Sequence, residues 1–391
     1  MKTISTQHNT DAIERKHPWP MVRLGDVCET ISTRGHQIKQ SEIRESGKYP
    51  VVSQSENDVE GWTDEDIVIT QVPLVLFGDH TCVVKKIEFP FVVGADGTKI
   101  LKSKSHNNTF LFYALQRAVA SLVDGKYRRH YSDLVEIEIP LPPLPVQREI
   151  VARLERELAA VEKMKKGFEA LAETAKAEFK AELKEVFESG ELRVESGELA
   201  VRRVKLGEIC ETITDGDHQP PPKSSQGVPF LVISNVASGR ISFENTRFVP
   251  RAYYEAIQEN RKPRKGDVLL TVTGSYGIPV VVETDDMFCF QRHIALIRAS
   301  RLDSKFLAYV LQSPESKRYF DLVATGAAQK TIGLGSIRAM SIPFPSMSAQ
   351  RQIVDRLSAA KARTEKLEAK AREGVAVCET MRKAILKEAF E

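Results

Sequence analysis

The 391-residue chain has few cysteines, and none stand close enough to act together. Cys28, Cys82, Cys210, Cys289 and Cys378 form no Cys-x-x-Cys pair and have no histidine at zinc-ligand spacing. This excludes a disulfide framework and a zinc site, and it fits buried thiols in a reducing cytoplasm. No apolar run approaches the roughly 18 residues a membrane span needs. The opening residues also lack the apolar core of a secretion signal. An excess of one charge is missing too: 56 Lys and Arg against 53 Asp and Glu leave a formal +3. No global basic field therefore marks a nucleic-acid partner, although balancing acids elsewhere can hide a basic surface. There is no Walker phosphate loop and no Gly-x-Gly-x-x-Gly; Gly333-Leu334-Gly335, the nearest approach, reads as a turn. An apolar fraction of 42% is enough for real cores, and the length allows two or three domains. The expectation is a cytoplasmic protein without membrane contact.

What the chain does contain is itself, twice. Val22-Arg23-Leu24-Gly25-Asp26-Val27-Cys28-Glu29-Thr30-Ile31 returns as Val204-Lys205-Leu206-Gly207-Glu208-Ile209-Cys210-Glu211-Thr212-Ile213. Ile139-Pro140-Leu141-Pro142 with Gln147-Arg148-Glu149-Ile150-Val151 returns as Ile342-Pro343-Phe344-Pro345 with Gln350-Arg351-Gln352-Ile353-Val354. The same interval still holds at Lys184-Glu185-Val186-Phe187 against Lys387-Glu388-Ala389-Phe390. Units this long are domains with their own cores, not solenoid repeats. Between these strings the match has gaps. Asp66-Ile67-Val68-Ile69-Thr70 matches Asp267-Val268-Leu269-Leu270-Thr271 as a short buried strand, and Phe110 to Gln116 matches Phe306 to Gln312 as an amphipathic helix. Insertions between shared elements give one scaffold two differently dressed loop sets.

Prolines Pro140, Pro142, Pro143 and Pro145, and later Pro343 and Pro345, mark an extended turn before a long helix in each copy, starting near Val146 and Ala349. The first helix carries an apolar stripe at steps of three and four: Ile150, Leu154, Leu158, Val161, Met164, Phe168, Leu171, Ala175, Phe179, Leu183, Val186. The second carries Ile353, Leu357, Ala360, Thr364, Leu367, Ala371, Gly374, Cys378, Met381, Ile385. At the α-helical rise, helices of this length reach roughly 60 Å. Each needs a partner, and the nearest candidate is the other. Nine Lys or Arg interleave with ten Glu between Gln147 and Glu188, which reads as a solvated face. The expected fold is α+β: two similar mixed α/β modules and two long antiparallel, coiled-coil-like helices in a pseudo-two-fold repeat. The boundaries are an arm at 1–20, a first module at 21–145, a helix at 146–190, a second module at 191–348 and a helix at 349–391.

The doubled Ile-Pro-x-Pro and Gln-Arg-x-Ile-Val segments before long helices resemble the specificity (S) subunits of type I restriction-modification systems, over essentially the whole chain. Leu76-Phe77-Gly78-Asp79-His80-Thr81, Gly94-Ala95-Asp96-Gly97-Thr98, Gly266-Asp267-Val268-Leu269-Leu270 and Gly274-Ser275-Tyr276-Gly277 fit as well. The resemblance implies two target-recognition domains, each reading half of a split double-stranded DNA site, with the helices as spacer and docking post. It also implies two methyltransferase (M) subunits holding S-adenosylmethionine and up to two ATP-driven restriction (R) subunits. Adenine methyltransferases carry Asn or Asp before Pro-Pro and an aromatic residue; no such string occurs here. Glu182 and Lys184, two apart on a helix, point in different directions and make no nuclease site. No catalytic residue, metal or cofactor is expected on this chain. The repeat and the helices alone would also suit a two-receptor scaffold on a coiled coil that binds no DNA.

Reading a duplex takes cations for phosphates and planar donors and acceptors for base edges. Lys126, Arg128, Arg129, His130 and Tyr131 form the densest basic and aromatic cluster of the first module, and Gln329 and Lys330 stand at the same place in the second. Arg34, His36 and Lys39 follow the first strand, matched by His218, Gln219 and Lys223. Gln71 and His80 follow the Ile-Thr strand, and Thr273, Ser275 and Tyr276 follow its partner. Lys99 has a rough counterpart in Gln291, Arg292 and His293. As a set they define an expected DNA surface.

Overall fold

In the computed structural model, the string that opens each repeat pairs with the string that closes it. The structure describes residues 19–94, 97–122, 128–188, 191–194, 197–200, 202–218, 221–327 and 329–390. Strand β1 (Met21–Arg23) runs into the one-turn helix α1 (Leu24–Val27) and β2 (Cys28–Ile31). Strands β3 (Tyr49–Val52), β4 (Gly61–Thr63), β5 (Leu74–Gly78), β6 (Val84–Ile87), β7 (Val92–Val93) and β8 (Thr98–Ser103) follow. Then come helices α2 (Asn108–Ala118) and α3 (Tyr131–Glu136), strand β9 (Glu138–Pro140) and helix α4 (Leu144–Glu188). β1 lies antiparallel to β9, with Val22 opposite Ile139, so the two repeated strings close the module. The main sheet is antiparallel in the order β2-β8-β5-β6, and a smaller sheet runs β4-β3-β7.

The second copy is preceded by the hairpin β10 (Glu191–Val194) and β11 (Gly197–Ala200). It contains β12 (Arg203–Lys205), α5 (Leu206–Ile209), β13 (Cys210–Asp215), β14 (Val228–Leu231), β15 (Arg247–Val249), α6 (Arg251–Ala256), β16 (Val268–Thr271) and β17 (Pro279–Val281). It continues through β18 (Cys289–Phe290), β19 (Ile294–Ala299), α7 (Ser304–Gln312), α8 (Pro314–Val323), α9 (Leu334–Ala339), β20 (Ser341–Pro343) and α10 (Met347–Ala389). Its sheets, β13-β19-β16-β17 and β15-β14-β18, repeat the first set strand for strand, and β12 pairs with β20. The expected pair of similar α/β modules followed by long helices is therefore present. Gly333 precedes α9 and Gly335 lies inside it, so the Gly-x-Gly string opens a helix instead of making a turn.

One expected match fails. The strand equivalent to Val268–Thr271 is β5, not Asp66–Thr70, because β5 lies between β8 and β6 as β16 lies between β19 and β17. Of Asp66–Thr70, only Ile69 makes a bridge, to Phe91. The string resembles β16 in composition, but it lacks a neighbour on each side, and sheet pairing decides β structure more than propensity does.

Local chemistry explains why the repeated strings are kept. A Cβ on Gly25 would sit 3.2 Å from Val135 Cβ, and one on Gly207 would sit 3.0 Å from Arg338 Cβ. The one-turn helices α1 and α5 pack on α3 and α9 at a distance only glycine allows without adjustment. Asn107 caps α2 by accepting from the Thr109 and Phe110 N–H groups, and Asp303 caps α7 from Lys305 and Phe306. Gln147 and Gln350, 0% and 1% exposed, repeat one clamp. Gln147 Oε1 accepts the Asn107 N–H at 3.1 Å and its amide donates to the Pro142 carbonyl at 2.8 Å. Gln350 does the same with Asp303 at 2.8 Å and Pro345 at 3.0 Å. Helix α4 begins before Pro145, which is tolerated in a first turn because its missing N–H has no helical acceptor there.

The chain divides into two compact units, one from 1–167 with 373–391 and one from 168–372. In the first, Ile150, Val151 and Leu154 of α4 and Leu386, Ala389 and Phe390 of α10 join the module core, with Phe390 and Phe110 ring centroids 5.4 Å apart. In the second, Leu183, Val186 and Phe187 of α4 and Ile353 and Leu357 of α10 do the same, with Phe187 6.0 Å from Phe306. Within each unit the helices run antiparallel. Arg153 pairs with Glu388 and Lys165 with Glu379 in one; Glu182 pairs with Arg356 and Ala175 bonds Thr364 in the other. Part of the interleaved charge thus joins the helices instead of only facing water. Met164 and Met381, expected in the seams, are exposed. Among the described residues, no helix is long and apolar enough to cross a membrane.

Candidate nucleic-acid interface

In each unit, loops from distant parts of the sequence meet at one end of the main sheet. In the first unit the centre of the cluster is Asp79, which leaves β5 and is 2% exposed. Its N–H donates to the Gly97 carbonyl at 2.7 Å, where the chain enters β8. Its Oδ1 accepts the N–H groups of His130 and Tyr131, at 3.0 and 2.8 Å. Lys99 Nζ lies 4.0 Å from Oδ2 and 5.4 Å from the Tyr131 ring centroid, and the Tyr131 hydroxyl bonds Thr30 of β2. A buried carboxylate is stable here because charge-assisted bonds replace its water. Gly97 has φ +80°, and a Cβ there would fall 2.9 Å from the His80 ring. Gln54 accepts the His80 N–H at 3.2 Å. His36 and Ile38 are tied to Val93 through the backbone, and His36 Nδ1 lies 2.9 Å from the Ile67 carbonyl.

The structure places the expected residues unevenly. Arg34, Lys39, Arg128 and Arg129 are exposed, while His36, His80, Lys99 and Tyr131 are half-buried. Arg128 is ion-paired with Asp133. His130, expected on the loop surface, is 2% exposed and its Nδ1 has no hydrogen-bond partner among the described residues, so it belongs to the stem of the loop. Gln71 is exposed but precedes β5, whereas His80 follows it. It sits beside Pro73, whose carbonyl accepts from Asn108 at the start of α2, and is thereby separated from the cluster. Its expected position came from the failed strand match. Lys126 lies outside the described residues.

In the second unit, the Val272 N–H donates to the His293 carbonyl at 2.9 Å, and Ile332 donates to Val272 at 2.8 Å. Thr331 bridges both Thr273 and Thr325, with the Thr331 and Thr273 hydroxyls 3.2 Å apart, and Gly274 donates to Lys330 at 3.0 Å. Asp217 bridges Gln291, and Gly216 is pressed so close to β18 that a Cβ would meet the Phe290 carbonyl oxygen at 2.0 Å. His218, Lys223, Ser275, Arg292, Gln329 and Lys330 are exposed, Gln291, His293 and Tyr276 are half-buried, and Thr273 is buried. Gln219 lies outside the described residues. His218 bonds Asp215 at 2.9 Å, with Arg261 3.9 Å from the same carboxylate. Tyr276 donates to Asp321 at 2.8 Å under Lys317, whose Nζ is 4.7 Å from the ring centroid. Burial, and next the Arg292 charge, hold His293 below the usual imidazole range. Counting back from the caps Asn107 and Asp303, Lys99 falls on Ala295, so Gln291 to His293 match the segment ending at Gly97 and not Lys99. The residues missed by sequence reasoning are Asp79, which stands inside a quoted string, Thr331, which directly follows Gln329 and Lys330, and Asp215 and Arg261, which no pattern singles out.

These side chains offer donors, acceptors and cations. Burial pushes the Cys28 thiol up to about 11 and those of Cys210 and Cys289 to about 12, leaving them protonated. Among the described residues, no group of three or more His, Cys, Asp or Glu could hold a metal ion.

Residues 16–168 and 200–375, which between them hold both clusters, match the type I restriction modification DNA specificity domain, and the chain belongs to that family. It is similar to the MjaVIII type I restriction enzyme specificity subunit of Methanocaldococcus jannaschii, 24% identical over 379 residues that cover 87% of this chain and 85% of the relative. It is also similar to the EcoBI specificity subunit of Escherichia coli, 23% identical over 316 residues, covering 74% of this chain and 66% of the relative. Among solved structures, a chain from a type I restriction-modification system studied for its complex assembly and conformational transition shares the fold. Its TM-score is 0.71 at 22% identity, covering 95% of this chain and 97% of the other. The HsdS subunit of Thermoanaerobacter tengcongensis aligns with a TM-score of 0.50 at 21% identity, covering 95% and 96%. Family membership favours DNA sequence specificity over a scaffold that binds no DNA, and makes the chain a non-catalytic specificity subunit.

Proposed function

We propose that each loop cluster reads one half of a split DNA target, through modules at 21–145 and 191–348, while partner subunits perform the chemistry. Two M subunits with S-adenosylmethionine methylate adenine N6, and up to two ATP-driven R subunits complete the complex in the cytoplasm. The observation that carries this reading is the double cluster: the same sheet end in two copies of one scaffold, lined by different exposed polar residues. Arg34, Lys39, Arg128, Arg129, Lys223, Arg292 and Lys330 suit phosphates, and Gln291, Gln329, His218 and Ser275 suit base edges. Linking two readers makes the second docking intramolecular, so two short half-sites suffice for a selective whole. The test is to express the chain with an M subunit in a host without adenine methylation and to map modified adenines by direct sequencing. Two short defined parts around a fixed undefined gap are expected. Absence of modification, with the same M subunit active beside another S chain, overturns the reading.

A further inference from the structure

The two modules share a scaffold but hold the loop before their last short helix by different means. In the first, Asp79 reaches into the stem: one carboxylate oxygen takes the N–H groups of both His130 and Tyr131, and the Asp79 carbonyl also accepts from His130, at 2.8 Å. The other carboxylate oxygen faces Lys99, which also lies against the Tyr131 ring. Arg128 and Arg129, the exposed cations of that loop, directly precede the residues so fixed. In the second module the matching position is Val272, since its N–H meets the His293 carbonyl as that of Asp79 meets Gly97. Its carbonyl accepts the Ile332 N–H at 2.8 Å, as that of Asp79 accepts His130, but its side chain carries no acceptor, and the bridge of Thr331 to Thr273 stands where the first module has the carboxylate bonds.

From this we infer that Asp79 is a positioning residue for sequence reading by the first module alone. Buried, it touches no DNA, and it acts by setting where the backbone of residues 128–131 stands relative to the duplex. The inference rests on the split-target reading above. Lengthening the side chain by one methylene displaces the acceptor while keeping its charge. An amide at the same length keeps an oxygen for both N–H groups and loses only the charge, and Lys99, at the edge of the cluster, remains solvated.

The test uses the complete methyltransferase complex carrying Asp79→Ala, Asp79→Glu or Asp79→Asn. Methylation rates are compared on the intact target and on duplexes with one base pair changed in either half. A recovered split motif with the unaltered chain establishes the reading on which the inference rests; its absence is a failure of that reading and not of Asp79. Asp79→Glu and Asp79→Ala are expected to lose about tenfold in discrimination at one half, the value of one good base contact, with the other half unchanged. Asp79→Asn is expected to stay within about twofold at both halves, since hydrogen bonds to an amide oxygen are weaker but similarly placed. Unchanged discrimination in Asp79→Glu overturns the inference, and so does an equal loss at both halves, which a general loss of stability would give. If Asp79→Ala does not assemble, Asp79→Glu and Asp79→Asn decide the question without it.

Discussion

The first module buries a carboxylate at the end of its main sheet, and the second buries one at the start. Asp79 follows β5 and holds a recognition loop; Asp267 precedes β16 and holds a guanidinium. Where the second module has Asp267, the first has Leu74, 1% exposed and fully apolar. Where the first has Asp79, the second has Val272. The sheet therefore tolerates either an apolar residue or a satisfied charge at both of its ends. What the scaffold keeps is strand order, caps and clamps, and what it varies is how loops are fastened to it.

The largest break in this comparison is expected at Arg298. It gives Asp267 two bonds, at 2.9 and 2.7 Å, and donates to the Lys262 carbonyl at 2.9 Å, with both partners largely buried. Arg298→Met strands a buried charge and should cost about 3–5 kcal/mol. Adding Asp267→Leu, which copies the first module, removes the stranded charge but also the acceptor of the Arg264 N–H at 2.8 Å, and should restore part of that. Hydrogen exchange at the β16 and β19 amides reads both, and a double variant as unstable as the single one would show that leucine works only in the first module's surroundings. Next in size are the clamps. Gln147→Ala and Gln350→Ala each leave a buried N–H and a buried carbonyl without partners, roughly 2–4 kcal/mol in either unit. Exchange of the Asn107 and Asp303 amides should rise equally; unequal effects would break the equivalence of the two copies.

The clamps also mark what the sequence makes legible. Gln147 and Gln350 appear in the repeated string because half of their job is local, a bond to a proline carbonyl five residues back, and a strict interval preserves it; the other half, the N–H of Asn107 or Asp303, lies 40 or 47 positions away and is not legible. The helix stripes are legible for the same reason, except at Met164 and Met381, where burial depends on a neighbour and not on spacing. Asp66–Thr70 resembles β16 in composition but lacks its strand partners, so the match puts Gln71 at the wrong end of β5. His130 looked like a surface residue because its neighbours are Arg128 and Arg129. Its burial depends on Asp79, some fifty positions away, a pairing that no single sequence displays.

A smaller effect should separate the modules as DNA readers. Replacing Arg129 or Lys330 by Ala, at matching loops, should each reduce the slope of log affinity against log salt by about one, if each meets a phosphate. A change in the first module only would mean that the basic loop, and not its polar counterpart, supplies the grip.

The smallest expected effect lies at His293, whose place in the first module is taken by Gly97 and so cannot titrate. Burial and the Arg292 charge disfavour its protonated form, so its folded-state pKa lies below the unfolded reference of 6.5. The sign follows from linkage: above that pH both states are neutral and nothing is gained or lost. As pH falls through it the unfolded chain takes up the proton more readily, and the second unit loses stability. Arg292→Leu removes the second cause and leaves burial, so the NMR titration midpoint of His293 should rise part of the way towards 6.5 and the acid loss should shrink. A duplex phosphate near His293 would raise it as well, so DNA binding measured near pH 6 should be accompanied by proton uptake in the unaltered chain. An unmoved midpoint in both the variant and the DNA complex would place His293 away from the duplex and leave its lowered value to burial alone.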